Sequence, residues 1–385
     1  MTREARVEIL RALGERRDST VVSYVTGDRT PVPGQIGDDA VRPLYDHLRA
    51  IGHVDRLDLF LYSRGGAIDV PWRIVTALRQ TSAEWNVLIP FRANSAATLL
   101  ALGADQIVMG RQGELGPIDP ILSLQRVVPQ PGGGLPVVHQ ENVNIEDVMA
   151  YLRFAQERGN LSDQASLSRA MDLLVQKLDA VALGNIYRTH SHIRDVARRM
   201  LRSRKEAASE QQMRTVIETL AEKVYAHGHA IGLREAEEIG LPVEAADDEL
   251  DELMWRLLTE YESGMKLLEP LDPAAAIQNA DVHREDVVIS MVESTAMLHE
   301  FRGALEVQAK RQMPGQLSIN MNVGFNLPPG LDVNNLPPDL QQLLQTWQQA
   351  LQQQAYRAVQ EAVAAQAPLV GIDVALRGAR WLRSE

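Results

Sequence analysis

The 385-residue sequence contains no cysteine. Disulfides, thiol nucleophiles, iron–sulfur clusters and cysteine zinc sites are therefore excluded. Lysine is scarce: Lys177, Lys205, Lys223, Lys266 and Lys310 are the whole set, and arginine carries the remaining basic charge. Arginine does not readily lose its proton, so a lysine acting as a base must come from those five. Uninterrupted apolar runs of about 18 residues are absent, so no membrane span is expected. The apolar segment 365–376 is too short and holds Asp373. The N-terminal stretch is charged throughout, lacks the apolar stretch of a signal peptide and reads as a first helix. A net basic balance is missing too. The formal charge of −12 argues against a nucleic-acid partner, because phosphate contacts need a basic face. These absences make a soluble, cytoplasmic protein the default expectation.

What is present is ordinary globular material, 45% hydrophobic and 23% charged, long enough for a large domain and a smaller one. Residues 19–26 are β-branched and aromatic and read as a buried strand. Residues 38–51 place Val41, Leu44, Leu48 and Ile51 on one helical face. Residues 55–62 read as a strand, 68–80 as a helix, 85–90 as a strand, 95–103 as a helix of small residues, and 106–109 as a fourth strand. Such β-α-β-α-β-α-β alternation with short loops implies parallel strands joined by right-handed crossovers. In these sheets, sites form beyond the carboxyl ends of the strands.

The glycine-rich segment 129–136 reads as a surface loop. Helical patterns follow over 145–201 and 209–227. Segment 232–244 reads as a short helix, a glycine stop and a final edge strand. The composition then changes, which divides the chain into an expected domain over 1–246 and a smaller α+β region over 247–385. That region holds an acidic helix over 247–266, alternating segments over 286–326 that suggest a small antiparallel sheet, a linker over 328–338 and a Gln-rich helix over 340–366. The last helix suits either docking or simple capping.

Two loops carry the chemistry. The first is Ser63-Arg64-Gly65-Gly66-Ala67, where paired glycines after a strand let the backbone turn and leave N–H groups pointing into a cleft. Such a donor is typically worth about 3–4 kcal/mol to a developing oxyanion. The second is Ser95, at the start of a helix whose first turn is Ala96-Ala97-Thr98. A hydroxyl there meets free N–H groups and the positive end of the helix dipole. Serine is also a favoured helix cap, and a glycine pair is often only a turn, so neither loop is decisive alone. As ends of neighbouring βα units they should share one crevice, which is the arrangement acyl transfer requires.

Taken in order, LFLYSRGGAID, FRANSAATLLALGADQIVMG and ELGPIDP resemble the Clp-type serine peptidases. These include the Clp proteolytic subunit, signal peptide peptidase A and, as the nearest match in motif order, the serine dehydrogenase proteinases. The later HGHAIGLREAEEIGLPVE is similar to the family's ending, so the resemblance spans about residues 18–245. It implies an α/β fold of the ClpP/crotonase type, a spiral of ββα units. It also implies Ser95 as nucleophile, an oxyanion hole made by the N–H groups of Gly66 and Ala96, a peptide or protein substrate, no cofactor, and assembly into homo-oligomeric rings.

The general base is the gap. A serine hydroxyl needs an adjacent base to attack at neutral pH. Where the Clp proteolytic subunit places a histidine, this chain reads RQGELGPIDP, and Asp119 is too acidic at pH 7 to serve well. Lys177 lies in a largely apolar helix where desolvation would lower its pKa, which makes a Ser95–Lys177 dyad the leading expectation. His139, His190, His192, His227 and His229 are the alternatives. The spacing of His227 and His229 has no third ligand, so no metal site is expected. Two further readings remain open. One is a catalytically inactive oligomeric scaffold whose serine is only a cap. The other is an acyl-CoA hydratase or isomerase, which shares the oxyanion logic but lacks an evident glutamate pair.

Overall fold

The computed structural model describes residues 2–118, 121–128, 137–178, 180–223, 228–278, 280–312 and 336–384. The chain divides into two compact units. The first comprises Met1–Pro270, Val287–Gly303 and Ala379–Glu385, and the second Leu271–Asp286 and Ala304–Gly378.

The first unit opens with α1 (Arg3–Arg17), β1 (Thr20–Thr26), a 3₁₀ turn (Asp38–Ala40) leading into α2 (Val41–Ile51), and β2 (Val54–Tyr62). It continues through α3 (Val70–Thr81), β3 (Ser82–Ile89), β4 (Arg92–Ala93), α4 (Ala96–Leu102), β5 (Ile107–Met109) and β6 (Glu114–Leu115). A ribbon of β7 (Ile121–Val128) and β8 (Val137–Asn144) pairs antiparallel. It is followed by α5 (Ile145–Glu157), α6 (Gln164–Lys177), α7 (Ala180–Arg202), α8 (Glu210–Glu218) ending in a π-helical turn, α9 (Leu233–Ile239), β9 (Val243–Ala245) and α10 (Asp248–Met265).

Strands β1, β2, β3, β5 and β9 run parallel in neighbouring pairs. The full sheet has the order β12-β11-β10-β1-β2-β3-β5-β9, in which β10 (Val282–Ser294), β11 (Leu298–Arg311) and β12 (Leu369–Ser384) come late in the chain. Parallel strands bury both faces, which is why β1 reads as a continuous apolar run. Val22 and Tyr24 join a core with α2, α3, α4, α7 and α8, whereas Val21 and Val25 join a second core with α1 and α10. The alternation is the period-two geometry of a strand.

Several expectations change. The chain does not divide compactly after residue 246, because α10 supplies Met254, Leu257, Leu258 and Tyr261 to the core under α1. The alternating segments at 287–294 and 304–310, which fall in β10 and β11, do not form a separate small sheet. Instead β10 adds antiparallel to β1, with Val22 opposite Ser294, and extends the main sheet. The third alternating segment, residues 328–335 of the linker and the loop 129–136 lie outside the described residues. Strand β12 is not among the expected strands, although Val370, Ile372, Val374 and Leu376 alternate along it. In contrast, the reading of 232–244 is matched in kind: α9 stops at Gly240, with φ 93°, and β9 is the edge strand.

The second unit holds α11 (Pro273–Ala276) and the 29-residue α12 (Pro338–Gln366), with the remaining parts of β10, β11 and β12. Arg311 binds Asp281 at 2.7 Å and Lys310 binds Asp373 at 3.3 Å. Leu343 and Trp347 on α12 are exposed, so that helix does not behave as a simple cap over a core. No described helix is long and apolar enough to cross a membrane.

Candidate active site

The two motif loops meet. Ser63, at the end of β2, forms a parallel bridge to Ala93 of β4, its N–H donating to the carbonyl of Arg92 at 2.9 Å and its carbonyl accepting from Asn94 at 3.0 Å. Continuing in that register brings Gly65 against the serine. A Cβ placed on Gly65 would lie 2.8 Å from Ser95 Cβ and 3.2 Å from the Ala96 nitrogen. Contact that close, with φ 112°, leaves glycine as the only residue that fits. The turn is set by Ser63, whose buried hydroxyl accepts from Gly65 N–H at 3.0 Å and from Thr26 Oγ1 at 2.7 Å.

Gly66 is held from the other side. Its neighbours make a parallel bridge with Ile36: Gly65 O accepts from Ile36 N–H at 2.8 Å, and Ala67 N–H donates to Ile36 O at 2.9 Å. In such a bridge the central residue's own N–H points to the opposite side. Among the described residues, the Gly66 N–H has no acceptor. A Cβ on Gly66 would stand 2.4 Å from Ile36 O and 2.5 Å from Ile36 N.

Ser95 is half-buried and has φ 53° and ψ −115°, a conformation that non-glycine residues avoid. Its hydroxyl caps none of the free N–H groups of α4. The competing reading, serine as an ordinary helix cap with extended backbone, is therefore not what the chain adopts. Ala96 is the first residue of α4, so its N–H lacks an intrahelical acceptor. Thr98, one turn on, anchors the surroundings. Its buried hydroxyl donates to Ala93 O at 2.7 Å and accepts from Gly116 N–H at 3.0 Å, fixing the ELGPIDP segment to the serine helix. Sequence reasoning passed over Ser63 and Thr98, whose only signal was a hydroxyl inside each motif.

The expected bases fare differently. Lys177 is the last residue of α6, and its side chain is exposed, so the desolvation invoked for it is absent. The neighbouring Leu178 does pack, in a small core with Ile145, Val148 and Ile186. His139 lies in β8 opposite Arg126, and nothing is described of its side chain. Asp119 and His227 lie outside the described residues. His229 Nε2 is 2.9 Å from Glu235 on α9. His192, on α7, has its Nε2 2.6 Å from Asp69 Oδ1, and Asp69 immediately precedes α3. Among the described residues, no cluster of three metal-ligating side chains occurs.

Residues 1–148 match the family model of ClpP-like SDH-type serine proteinases. Two uncharacterized proteins of Methanocaldococcus jannaschii are similar: one is 34% identical over 31% of this chain and 43% of its own length, the other 38% identical over 17% and 22%. The chain thus spans less than half the length of these curated relatives. Among solved structures, ClpP1 from Listeria monocytogenes aligns at 13% identity over 62% of this chain and 99% of its own, with a TM-score of 0.32. Over residues 1–148, then, the chain is similar to the ClpP-like SDH-type serine proteinases, within the Clp-type class whose motifs its sequence resembles.

Proposed function

We propose that the chain is a serine peptidase that hydrolyses peptides or unfolded protein segments through a Ser95 acyl-enzyme. The observation that carries this reading is the backbone of Ser95. A residue at φ 53° that caps nothing, pressed against Gly65, is strain without a structural return unless the hydroxyl has work to do. The N–H groups of Gly66 and Ala96 form the oxyanion hole in this reading. Each is a donor without a partner among the described residues, and both belong to the loops that converge on Ser95. Such preorganised donors stabilise the charge that develops on the carbonyl oxygen. The match of residues 1–148 to a serine proteinase family supports the same chemistry. A spiral of ββα units, assembly into a homo-oligomeric ring and a cytoplasmic location belong to the same proposal. The Ser95–Lys177 dyad gains no support from the exposed position of Lys177 and is not carried forward.

One observation favours the alternative of an inactive oligomeric scaffold: the side chain of Lys177, the lysine expected to activate the serine, is exposed. Labelling separates the two. A fluorophosphonate should modify wild-type protein at Ser95 and leave Ser95→Ala unmodified. Wild-type protein that stays unlabelled while correctly folded would refute the peptidase reading.

A further inference from the structure

We propose that His192, oriented by Asp69, is the general base for Ser95; this rests on the serine-hydrolase reading above. His192 and Ser95 lie at the same level of neighbouring helices. At the far end of the serine helix, a Cβ on Gly103 would meet Val75 of α3 at 2.9 Å and Met200 Sδ of α7 at 3.3 Å. Arg204, just beyond α7, donates to Leu102 O at 2.8 Å, so the ends of α4 and α7 coincide. This fixes a common reference plane for α3, α4 and α7. Going back along α4 to Ser95 covers about 12 Å, and going back along α7 from Met200 to His192 covers about 12 Å as well. Along α3, from Val75 to Asp69, the distance is about 9 Å. The Asp69–His192 contact at 2.6 Å shows that α3 and α7 stay adjacent over this length.

The side chains between agree. Ile193, Val196 and Ala197 of α7 are buried in the same core as Ala96, Leu99 and Leu100 of α4. Packed helices lie about 8–10 Å apart axis to axis, a gap that side chains from both helices fill, so in this proposal the His192 imidazole reaches toward Ser95 from the neighbouring helix at the same level. A second route gives the same answer. Gly65 touches Ser95, and the chain runs from Gly65 and Gly66 directly to Asp69 at the head of α3.

The pairing has the chemistry a base needs. With Nε2–H donated to the Asp69 carboxylate, the ring is held in one orientation and Nδ1 is left to accept a proton. In the acylation step Ser95 Oγ–H gives its proton to His192 Nδ1 while Oγ bonds to the substrate carbonyl carbon. The carbonyl oxygen becomes the oxyanion. Its collapse breaks the bond to the leaving amine, which departs with the proton from His192. Water then attacks the acyl-enzyme by the same exchange and regenerates Ser95. Asp69 is a positioning residue in this scheme.

The test uses full-length protein, a fluorophosphonate label and hydrolysis of a p-nitrophenyl ester, with circular dichroism as a folding control. His192→Ala should label and hydrolyse about 100-fold more slowly or worse, and added imidazole should restore part of the rate. Asp69→Asn should slow hydrolysis and move the acidic limb of the pH–rate profile. His229→Ala should behave as wild type. Overturning results are wild-type labelling rates in His192→Ala, a loss without imidazole rescue together with an unmoved pH profile in Asp69→Asn, or a loss specific to His229→Ala. In each case continued labelling of Ser95 in the wild type would leave the hydrolase reading standing. Only an unlabelled, folded wild type would remove both.

Discussion

Acid should weaken this protein through one buried side chain. His47 on α2 is fully buried, with Nδ1 2.8 Å from Ser294 Oγ and Nε2 3.1 Å from Nδ1 of His299. Burial, with a smaller contribution from His299, pushes its pKa down from 6.5 to about 3. The native state therefore refuses a proton that the unfolded chain accepts. Above pH 6.5 both states are neutral, and the full stability is present. As pH falls below 6.5, the unfolded state gains protons and stability is lost, until the native form also protonates near pH 3. At 1.36 kcal/mol per pH unit the whole window is worth ~5 kcal/mol, and the part between pH 6.5 and 5 about 2 kcal/mol. Because His47 is shielded from solvent, this figure is not discounted for screening. His47→Gln keeps hydrogen-bonding groups for Ser294 and His299 but does not titrate. Urea unfolding followed by tryptophan fluorescence at pH 7.5 and pH 5 should show the wild type losing about 2 kcal/mol more than the variant. Equal losses in the two proteins would refute the reasoning, since His299 titrates in both.

Gly66→Ala should slow ester hydrolysis by on the order of 10²-fold while the protein stays folded by circular dichroism, because a Cβ 2.4 Å from Ile36 O forces the loop to shift by about 1 Å. Thr98→Val should destabilise by about 1–3 kcal/mol in urea and slow hydrolysis further, since it frees Ala93 O and Gly116 N–H beside the serine. Glu293→Gln should cost about 3–5 kcal/mol in the same unfolding assay, because the carboxylate is fully buried and bound to Arg6 at 2.6 Å and Tyr261 at 2.9 Å. A loss under 1 kcal/mol would mean that water or rearrangement compensates the buried arginine.

The local patterns of the first 110 residues were enough to read the parallel sheet. Its strands are short apolar runs, its helices have clear periodicity, and the glycine and serine motifs fall at strand ends, where α/β sheets place their sites. Local order also predicted that the two loops would share a crevice. What no window of sequence contained was the long-range pairing. The seating of β10 beside β1 joins residues some 270 positions apart. Alternation alone marks such segments as strands without naming their partner. The same limit governed the base. An apolar-looking helix suggested a desolvated Lys177, yet burial is decided by what packs against a helix, and at the last residue of α6 the side chain is exposed. The contact between His192 and Asp69 spans 123 positions and arises from the packing of α7 along α3. Residue types and spacing specified the nucleophile and its oxyanion donors as candidates. Only tertiary packing decided which titratable side chains stand near them, because proximity between helices is a property of the folded core and not of the chain.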